Sequence, residues 1–556
     1  MTQEERELPV HSVPVKQMDV DTAISMMLPK VRDRFQQVYD LLEQPEIVTI
    51  NFFNRKMSDR ETKHSTSLAS FIQQNADHQP SKFLTTDDAD KMVADGIVKP
   101  ISAELEKSSP TLGTMKAFTV VEMEKKRRRV IHWPEAHNTF LNEAYQPELS
   151  LDHISKYLKI AHANSGAVLD LRCGFWQVPI SEKARPYYRF RDASGRLFEM
   201  TRLMMGHRAS VELMQILTSV VAGDPNFVSR KYAAPENVGI SVWVDGICFF
   251  GEEKDVHTAI EAAQRRAKKL RMTFKEPAQQ PQSEFEYIGV QWNLKNHTVT
   301  LAEKTRKRLP KQLPSQGEYF MTAQEVEQLA GRLIHAAGVT QTPLVNYYYA
   351  MKFARRICNT LNNGAHPNHE VRIRGVALAQ LHDWINEALA THKPRLIDQG
   401  AIAPVLFVDA TLEDYGAVLV LPTSQVLTSG GKFTDGESKH IAIREAEAVL
   451  FGLQDFERHL NNDAVRVIEI RSDNTTAENL IRRGTSKTEE LARVIKKIMR
   501  ASLKWNAAID IRRIESKANP ADELSRNVEL DMAKLQRALA NRDPAYTRSG
   551  AGRIFA

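Results

Sequence analysis

The sequence predicts a multidomain chain in which an α+β region is followed by an α/β domain. Its 556 residues suffice for about three or four domains of ~150 residues each. Apolar residues make up 42% of the chain and charged residues 26%, as in an ordinary soluble globular protein. Near residues 393–400 a mainly helical pattern gives way to alternating strands and helices, and we place a domain boundary there.

The region before residue 300 shows short strand and helix patterns separated by recognisable turn residues. Alternating apolar residues indicate strands, an acidic first turn indicates a helix start, and Asp-Ala-Ser-Gly and Asp-Gly indicate hairpins. In chain order the predicted elements are a helix at 87–101, strands at 117–123 and 129–133, a helix at 150–162, a strand ending at Asp170, a hairpin at 189–200, a helix at 207–222, a hairpin around Asp245-Gly246, a helix at 256–270 and a strand at 287–292.

The region from 300 to 395 is mainly helical in pattern, with helices predicted at 322–337 and 374–389. After residue 403, apolar strand-like runs alternate with a helical pattern, which is typical of an α/β domain. The predicted elements there are strands at 404–409, 416–421, 465–472 and 509–514 and a helix at 445–459.

The distribution of basic residues favours a polyanionic partner. The net charge is only +6, but basic clusters recur at 125–129, 265–269, 304–308 and 496–500. One such cluster is more often a solvated helix face, whereas four of them favour surfaces that bind a phosphate backbone.

The cysteines and the apolar runs bear on the compartment. Cys173, Cys248 and Cys358 have neither metal-ligand spacing nor a disulfide framework, which predicts an intracellular protein, cytoplasmic or nuclear. No apolar stretch approaches the ~20 residues of a membrane span, so no membrane partner is expected. The polar, acidic N-terminus is unlike a targeting peptide.

Two aspartates end strand-like runs in the first region. Asp170 closes the run from Gly166, and Asp245 closes the run from Val238. Carboxylates at strand ends that a sheet brings together make a site for two divalent cations, which supports in-line phosphoryl or nucleotidyl transfer. On its own, Asp245-Gly246 is better explained as a two-residue hairpin turn, and a hairpin tip that presents a ligand satisfies both interpretations.

Six short segments follow one another in an order that is more specific than any one of them. Residues 169–180 are similar to the pattern LDLxxGFxQIPI, residues 198–215 to the pattern YxWxxMPFGLxxAPxxFQ, and residues 242–246 to the YxDD box. Residues 94–100, 129–138 and 285–292 are similar to GvIxPS, RxxVDYRxLN and xxFLGxxI. Over about residues 85–390 the chain thus resembles the reverse transcriptases of gypsy-like and DIRS-type retroelements.

The resemblance implies a right-hand polymerase fold with fingers, palm and thumb, and it implies residue roles. Asp170 and Asp245 would be metal ligands. Phe175 would lie beside the sugar of the incoming nucleotide, with core packing as the alternative. Arg129 would contact nucleotide phosphates, with a solvated position as the alternative, and Lys275 would lie near the leaving pyrophosphate. Gly206 and Gln215 would help form the floor under template and nucleotide.

Two departures from this family pattern concern the YxDD box. Trp243 replaces its tyrosine, and Gly246 replaces its second aspartate, so that one carboxylate is missing. The resemblance therefore implies weakened, altered or lost polymerisation, unless a third acid such as Glu199, Glu252 or Glu253 takes the place of the missing one.

The α/β region carries four acids at strand ends and helix positions: Asp409, Glu445, Asp473 and Asp522. Each alone is more often a cap or a surface residue, but acids placed in this way can converge on two magnesium ions and cleave phosphodiesters. The set is similar to that of ribonuclease H, in the family order, and residues 519–526 resemble the NxxADxLSR signature of that domain in retroelements. Tyr415 in place of tryptophan is a slight departure.

The resemblance also implies a domain order and a function. The expected order is an N-terminal extension of unknown role (1–80), fingers and palm (81–300), a mainly helical thumb or connection (301–395), a ribonuclease H-like α/β domain (396–530) and a C-terminal tail (531–556). The expected activity is RNA-directed DNA polymerase with ribonuclease H, using two Mg²⁺ ions per site, or Mn²⁺.

The partners expected from this resemblance are an RNA template, a DNA primer and product, the RNA–DNA hybrid and deoxynucleoside triphosphates. A homodimer or an assembly with other element-encoded proteins is a further expectation. The alternative function is a polymerase-impaired, domesticated or degenerate element protein that acts as a nucleic-acid-binding scaffold or as a hybrid nuclease only.

Overall fold

The computed structural model describes residues 5, 7–46, 48–52, 64–75, 84–148, 154–276, 280–310, 313–394, 403–434, 439–461 and 467–540. The chain divides into two compact units, Met1–Leu151 with Ala163–Phe285, and Asp152–His162 with Glu286–Ala556. This mixture of helices and strands over more than one unit confirms the predicted fold class at that coarse level. The finer domain boundaries stay predictions, and the boundary near 393–400 lies largely outside the described residues.

The helices and strands are numbered here in chain order. The helices are α1 (Val20–Met26), α2 (Pro29–Glu43), α3 (Leu68–Gln74), α4 (Thr86–Ala94), α5 (Ala103–Ser108), α6 (Glu135–Ala144), α7 (Gly174–Gln177), α8 (Ser210–Ala222), α9 (Glu253–Lys269), α10 (Glu303–Arg306), α11 (Ala323–Thr340), α12 (Tyr348–Asn362), α13 (Gly375–Ala388), α14 (Ile441–Asp455), α15 (Glu457–Leu460), α16 (Thr475–Arg483), α17 (Glu489–Lys504), α18 (Ala521–Ser525) and α19 (Met532–Ala540).

The strands are β1 (Thr49–Phe52), β2 (His64–Ser67), β3 (Val98–Pro100), β4 (Lys116–Glu122), β5 (Arg127–Trp133), β6 (Ser165–Asp170), β7 (Arg189–Arg191), β8 (Leu197–Met200), β9 (Gly239–Trp243), β10 (Gly246–Gly251), β11 (Glu284–Tyr287), β12 (Val290–Asn293), β13 (Thr298–Leu301), β14 (Glu318–Thr322), β15 (Glu370–Arg374), β16 (Val405–Ala410), β17 (Asp414–Val420), β18 (Val426–Lys432), β19 (Val467–Ser472) and β20 (Ala508–Arg513). No helix in the described ranges is both long and apolar enough to cross a bilayer.

The first unit is organised around the antiparallel sheet β6–β10–β9. Helices α8 and α9 pack against this sheet, and α1 and α2 pack against α8. Almost every residue of α8 is buried, which is expected for a helix covered on all sides. Residues 20–43, whose role the sequence left unknown, therefore close the core behind the sheet.

The hairpin β4–β5 is anchored to this unit by a buried ion pair. Both terminal nitrogens of Arg128 donate to the two carboxylate oxygens of Asp88, at 2.8 and 2.7 Å. Asp88 lies in the first turn of α4, where it also completes a capping box with Thr85. Arg128 Nε donates to the carbonyl of Leu8, so the same side chain ties the N-terminal segment to the hairpin.

The second unit contains a five-stranded sheet in the order β18–β17–β16–β19–β20. Strands β16, β19 and β20 are parallel, β17 pairs antiparallel with β16, and β18 pairs antiparallel with β17. Leu406 and Val408 face the core on one side, and Val405 and Phe407 face a smaller core that holds Leu535 of α19. Both faces of β16 are thus covered, which explains its continuous apolar run.

Four predicted elements differ from the structure. The hairpin loop is Val244-Asp245, not Asp245-Gly246, because Gly246 already pairs with Trp243 in the ladder. The strand at 287–292 is broken by positive φ at Ile288 and Gly289. The helix at 87–101 ends at Ala94 before β3, and residues 154–162 form a 3₁₀ helix.

The Arg128→Met variant should lose about 3–5 kcal/mol of unfolding free energy, because it leaves the buried Asp88 carboxylate without its partner. Urea denaturation followed by tryptophan fluorescence measures this loss. The matched control is Lys116→Met, which removes an exposed pair with Glu135 and should cost less than ~1 kcal/mol. Equal losses in the two variants would contradict the anchoring role of Arg128.

Candidate active sites at two groups of strand-end carboxylates

The structure brings Asp170 and Asp245 together at one end of the sheet of the first unit. Asp170 pairs with Gly246 in the β6–β10 ladder, so Asp245 lies one residue beyond the residue opposite Asp170. The backbone N–H of Leu171 donates to the carbonyl of Asp245 at 2.9 Å. Burial and the negative charge of Asp170 raise the pKa of Asp245. Two carboxylates of adjacent strands therefore repel each other at this point.

The turn that presents Asp245 is held by Gln215 of α8. Gln215 Oε1 accepts a hydrogen bond from the Val244 N–H at 2.7 Å, and its Nε2 donates to the carbonyl of Val242 at 2.9 Å. Val244 has a φ of +56°, a strained value for a β-branched residue. Gln215, predicted from the sequence to be a floor residue, thus holds the turn that carries Asp245.

Gly206 and Phe175 lie in tightly packed surroundings. A Cβ on Gly206 would come within 2.2 Å of the carbonyl oxygen of His132, so the chain passes too close to β5 for any side chain. Phe175 is 8% exposed and belongs to the core of the first unit. The geometry of Phe175 fits core packing, the alternative weighed for it from sequence.

Arg129 and Lys275 face the two aspartates. Arg129 forms an ion pair with Glu122 at 2.7 Å and also lies close enough to Asp245 to lower its pKa. Lys275 Nζ lies 2.9 Å from Asp170 Oδ2. This ammonium–carboxylate pair was not foreseen, since no sequence pattern links residues 105 positions apart.

The three acids proposed as substitutes for the missing carboxylate have other surroundings. Glu199 is buried against Arg189 at 3.2 Å, and Glu252 accepts from the Asn164 side chain. Among the residues that the structure describes, no group of three potential metal ligands includes Asp170 or Asp245. Glu199, Glu252 and Glu253 therefore do not complete a three-carboxylate group with Asp170 and Asp245.

The second unit brings three carboxylates into one cluster. Asp409 is on β16, Glu445 is on α14, and Asp473 follows β19; one oxygen of each lies within 4.8 Å of the others. Burial, together with the negative charges of Asp473 and Asp522, raises the pKa of Asp409 to about 6, against a hydrogen bond from Ser525 that lowers it. Burial and the charges of Asp409 and Asp473 raise the pKa of Glu445 to about 9.

Asp522 lies beside this cluster without being a member of it. It is in the first turn of α18, and its Oδ1 accepts from Arg526 Nε at 2.9 Å. Lys534 Nζ lies 4.0 Å from its other oxygen. Of the four predicted acids, three thus converge and the fourth is held by cations at the rim. The i, i+4 spacing of Asp522 and Arg526 was the sequence signal for that ion pair.

The donors of this cluster fit divalent magnesium or manganese. Three carboxylates supply only oxygen ligands, which Mg²⁺ and Mn²⁺ prefer. Glu445 Oε2 is buried and has no hydrogen-bond partner, which is costly unless a cation lies against it. The neighbouring Glu447, by contrast, is neutralised by Lys439 at 2.7 Å and Arg444 at 2.9 Å, so it faces away as its position on the helix predicts.

Ser525 is a further residue of this site that the sequence did not single out. Its buried hydroxyl donates to Asp409 Oδ2 and also to the carbonyl of Asp522. Asn519 Nδ2 donates to the carbonyl of Val408 at 2.8 Å and so fixes the segment before α18 against β16. Both side chains come from the 519–526 motif, whose spacing was the available signal.

No protein-family model matches the chain, and no curated protein matches it. Solved structures similar to it include a foamy viral protease-reverse transcriptase "dRH" in complex with double-stranded DNA (TM-score 0.45, 13% identity, 90% of this chain and 83% of that chain). Two others are foamy viral protease-reverse transcriptases: with an RNA/DNA hybrid (0.46, 13%, 90% and 64%), and with double-stranded DNA (0.44, 13%, 90% and 98%). These values describe a remote likeness.

Magnesium should stabilise the second unit against heat, because a cation offsets the repulsion among Asp409, Glu445 and Asp473. At 100 times the dissociation constant the gain is about 2.7 kcal/mol. Differential scanning calorimetry with EDTA and with Mg²⁺ measures it. Asp473→Asn should raise the metal-free Tm and lose the response to Mg²⁺. Glu515→Gln, an exposed acid of the same unit, should respond like the unmodified chain. A full Mg²⁺ response in Asp473→Asn would contradict the site.

Proposed function

We propose that this protein is a nucleic-acid enzyme of the reverse transcriptase and ribonuclease H type, and that its second unit cleaves the RNA strand of an RNA–DNA hybrid. The observation that carries the proposal is the cluster of Asp409, Glu445 and Asp473 at the end of a mixed five-stranded sheet. Clustered carboxylates with a buried, unpaired oxygen are the donor set of metal-assisted phosphodiester hydrolysis.

Asp409, Glu445 and Asp473 would hold the ions, with Asp522 at the rim. Bound Mg²⁺ would supply positive charge to the scissile phosphate and to the leaving oxygen. Ser525 orients the Asp409 carboxylate by a hydrogen bond. Asn519 donates to the carbonyl of Val408 and so fixes the segment before α18 against β16. Arg526 holds Asp522 at the rim through an ion pair at 2.9 Å, where Arg526 and Lys534 also present positive charge to a phosphate backbone.

A basic face on α17 supports the nucleic-acid partner. Leu491, Ile495 and Ile498 are buried, while Lys497 and Arg500 on the opposite face are exposed. α17 packs against α14, the helix that carries Glu445. The cluster at 496–500 therefore lies on an element next to the site, and its charges complement a polyanion.

The second candidate function adds RNA-directed DNA polymerisation by the first unit. The observation that favours it is the convergence of Asp170 and Asp245 on adjacent strands, with Arg129 facing them. In this form the protein is the intracellular enzyme of a gypsy-like or DIRS-type retroelement and acts on RNA templates, DNA primers and deoxynucleoside triphosphates. Gly246 and the Lys275–Asp170 pair favour the narrower form, a hybrid nuclease on a polymerase-like scaffold.

Hybrid cleavage tests the first function. The full chain should cut the RNA of a labelled RNA–DNA hybrid with Mg²⁺, and Asp473→Asn should abolish the cut because it removes a ligand. Ser525→Ala should lower the rate by about 10–100-fold, since it frees the Asp409 carboxylate. Glu515→Gln is the control that leaves the rate unchanged. Absence of cleavage by the unmodified chain would overturn the proposal.

Primer extension on an RNA template, with Mg²⁺ or Mn²⁺, tests the second function. If the first unit polymerises, Asp170→Asn should abolish extension because it removes one of the two carboxylates that the described strands bring together there. The matched control is Glu236→Gln, an exposed acid of the same unit, which should extend normally. Absence of extension under either metal would leave the hybrid nuclease as the function.

A further inference from the structure

The ammonium of Lys275 is placed on Asp170 by the backbone as well as by its own side chain. The Lys275 N–H donates to the carbonyl of Asp170 at 2.8 Å, and the Arg172 N–H donates to the carbonyl of Thr273 at 2.9 Å. Leu171 and Phe274 form an antiparallel bridge between these two bonds. The segment that carries Lys275 is thus paired with the segment that carries Asp170, which fixes the origin of the lysine side chain beside the carboxylate.

Positively charged side chains near Asp170 and Asp245 partly balance the charge of these two carboxylates without a pair of divalent ions. Lys275 and Arg129 both lower the pKa of Asp245, so both lie within electrostatic reach of it. Arg172 and Arg127 act together with Lys275 on the thiol of Cys173, three residues after Asp170. Arg127 and Arg129 are themselves paired with Glu122. Lys275, which contacts Asp170 directly, is therefore the positive group that would most strongly repel a divalent ion added to this pocket.

Gly246, the residue opposite Asp170, cannot offset the positive charge of Lys275. It faces Asp170 across the ladder and brings no side-chain oxygen, and no third ligand is present among the described residues. In the second unit the Asp409 carboxylate has a neutral partner, the hydroxyl of Ser525. One site is thus short of negative charge and carries its own cation, whereas the other is rich in negative charge and carries none on its three clustered acids.

We propose that the Lys275 ammonium is the resident cation of the Asp170–Asp245 site, and that this site does not hold a pair of divalent ions. The proposal bears on the second candidate function and is independent of hybrid cleavage by the second unit. It assigns Lys275 a role in neutralising Asp170 rather than a role at a leaving group. The Lys275 ammonium supplies the positive charge that a second divalent ion would otherwise bring to Asp170.

The test counts ions in the full chain with the second site removed by Asp409→Asn and Asp473→Asn. Free Mn²⁺ is followed by electron paramagnetic resonance during a titration with Mn²⁺ alone. The first unit should bind fewer than two ions, and Lys275→Met should raise its Mn²⁺ affinity at least tenfold. Lys275→Arg, which keeps the charge, should bind as weakly as lysine. Two ions bound in the presence of Lys275, or no change with Lys275→Met, would overturn the proposal.

A second variant adds the carboxylate that position 246 lacks. The φ of Gly246 is not in the left-handed region, so its backbone accepts an L-residue. Gly246→Asp combined with Lys275→Met should bind two Mn²⁺ ions, whereas Gly246→Asn with Lys275→Met should bind no more than Lys275→Met alone. If the aspartate adds no ion, the proposal fails. Hybrid cleavage by the chain with an intact second unit is measured separately, so failure here leaves the nuclease function standing.

Discussion

Repulsion between carboxylates that a sheet holds side by side is the constraint on which both sites depend. At 4.8 Å, the limit that encloses the oxygens of Asp409, Glu445 and Asp473, two unit charges at an effective dielectric constant of ~20 repel by roughly 3 kcal/mol. Strand pairing leaves no freedom to relax this repulsion by separation, because register fixes the Cα positions. Each unit must therefore relieve this repulsion by binding a proton, which the raised pKa values of Asp245, Asp409 and Glu445 favour, or by binding a cation. The two units differ in where that cation comes from.

Local patterns predicted the elements that carry the acids, because strand and helix periodicity are properties of neighbouring residues. The runs that end at Asp170 and Asp409 are strands as predicted. The hairpin loop was displaced by one residue for a non-local reason. Gln215, about thirty positions earlier, bonds both Val242 and Val244 and so holds a β-branched residue at positive φ, at a cost on the order of 1–3 kcal/mol. An Asp-Gly dipeptide alone contains no information about that helix.

The same distinction explains which site residues were foreseen. Three of the four predicted acids of the second unit converge. The neighbouring parallel strands β16 and β19 bring Asp409 and Asp473 to one edge, and α14, which packs on β16, adds Glu445. The outward position of Asp522 depends on Arg526 and Lys534, and the role of Lys275 depends on a strand-like pairing of 273–275 with 170–172. Such pairings arise from tertiary structure, so a sequence motif can identify an acidic site residue without identifying the basic side chain that pairs with it.

Gly246 and Lys275 both determine the net charge around Asp170 and Asp245. Asp170 and Asp245 bring two negative charges, and Lys275 removes one of them. Two divalent ions would add four positive charges to a pocket that Arg127, Arg129 and Arg172 also approach. A carboxylate at position 246 would restore one negative charge but would also draw on the Lys275 ammonium that now belongs to Asp170. The glycine at position 246 and the Lys275–Asp170 pair therefore both reduce the negative charge available to divalent ions in the first unit. In the second unit the three clustered acids are instead a group that could hold a metal ion.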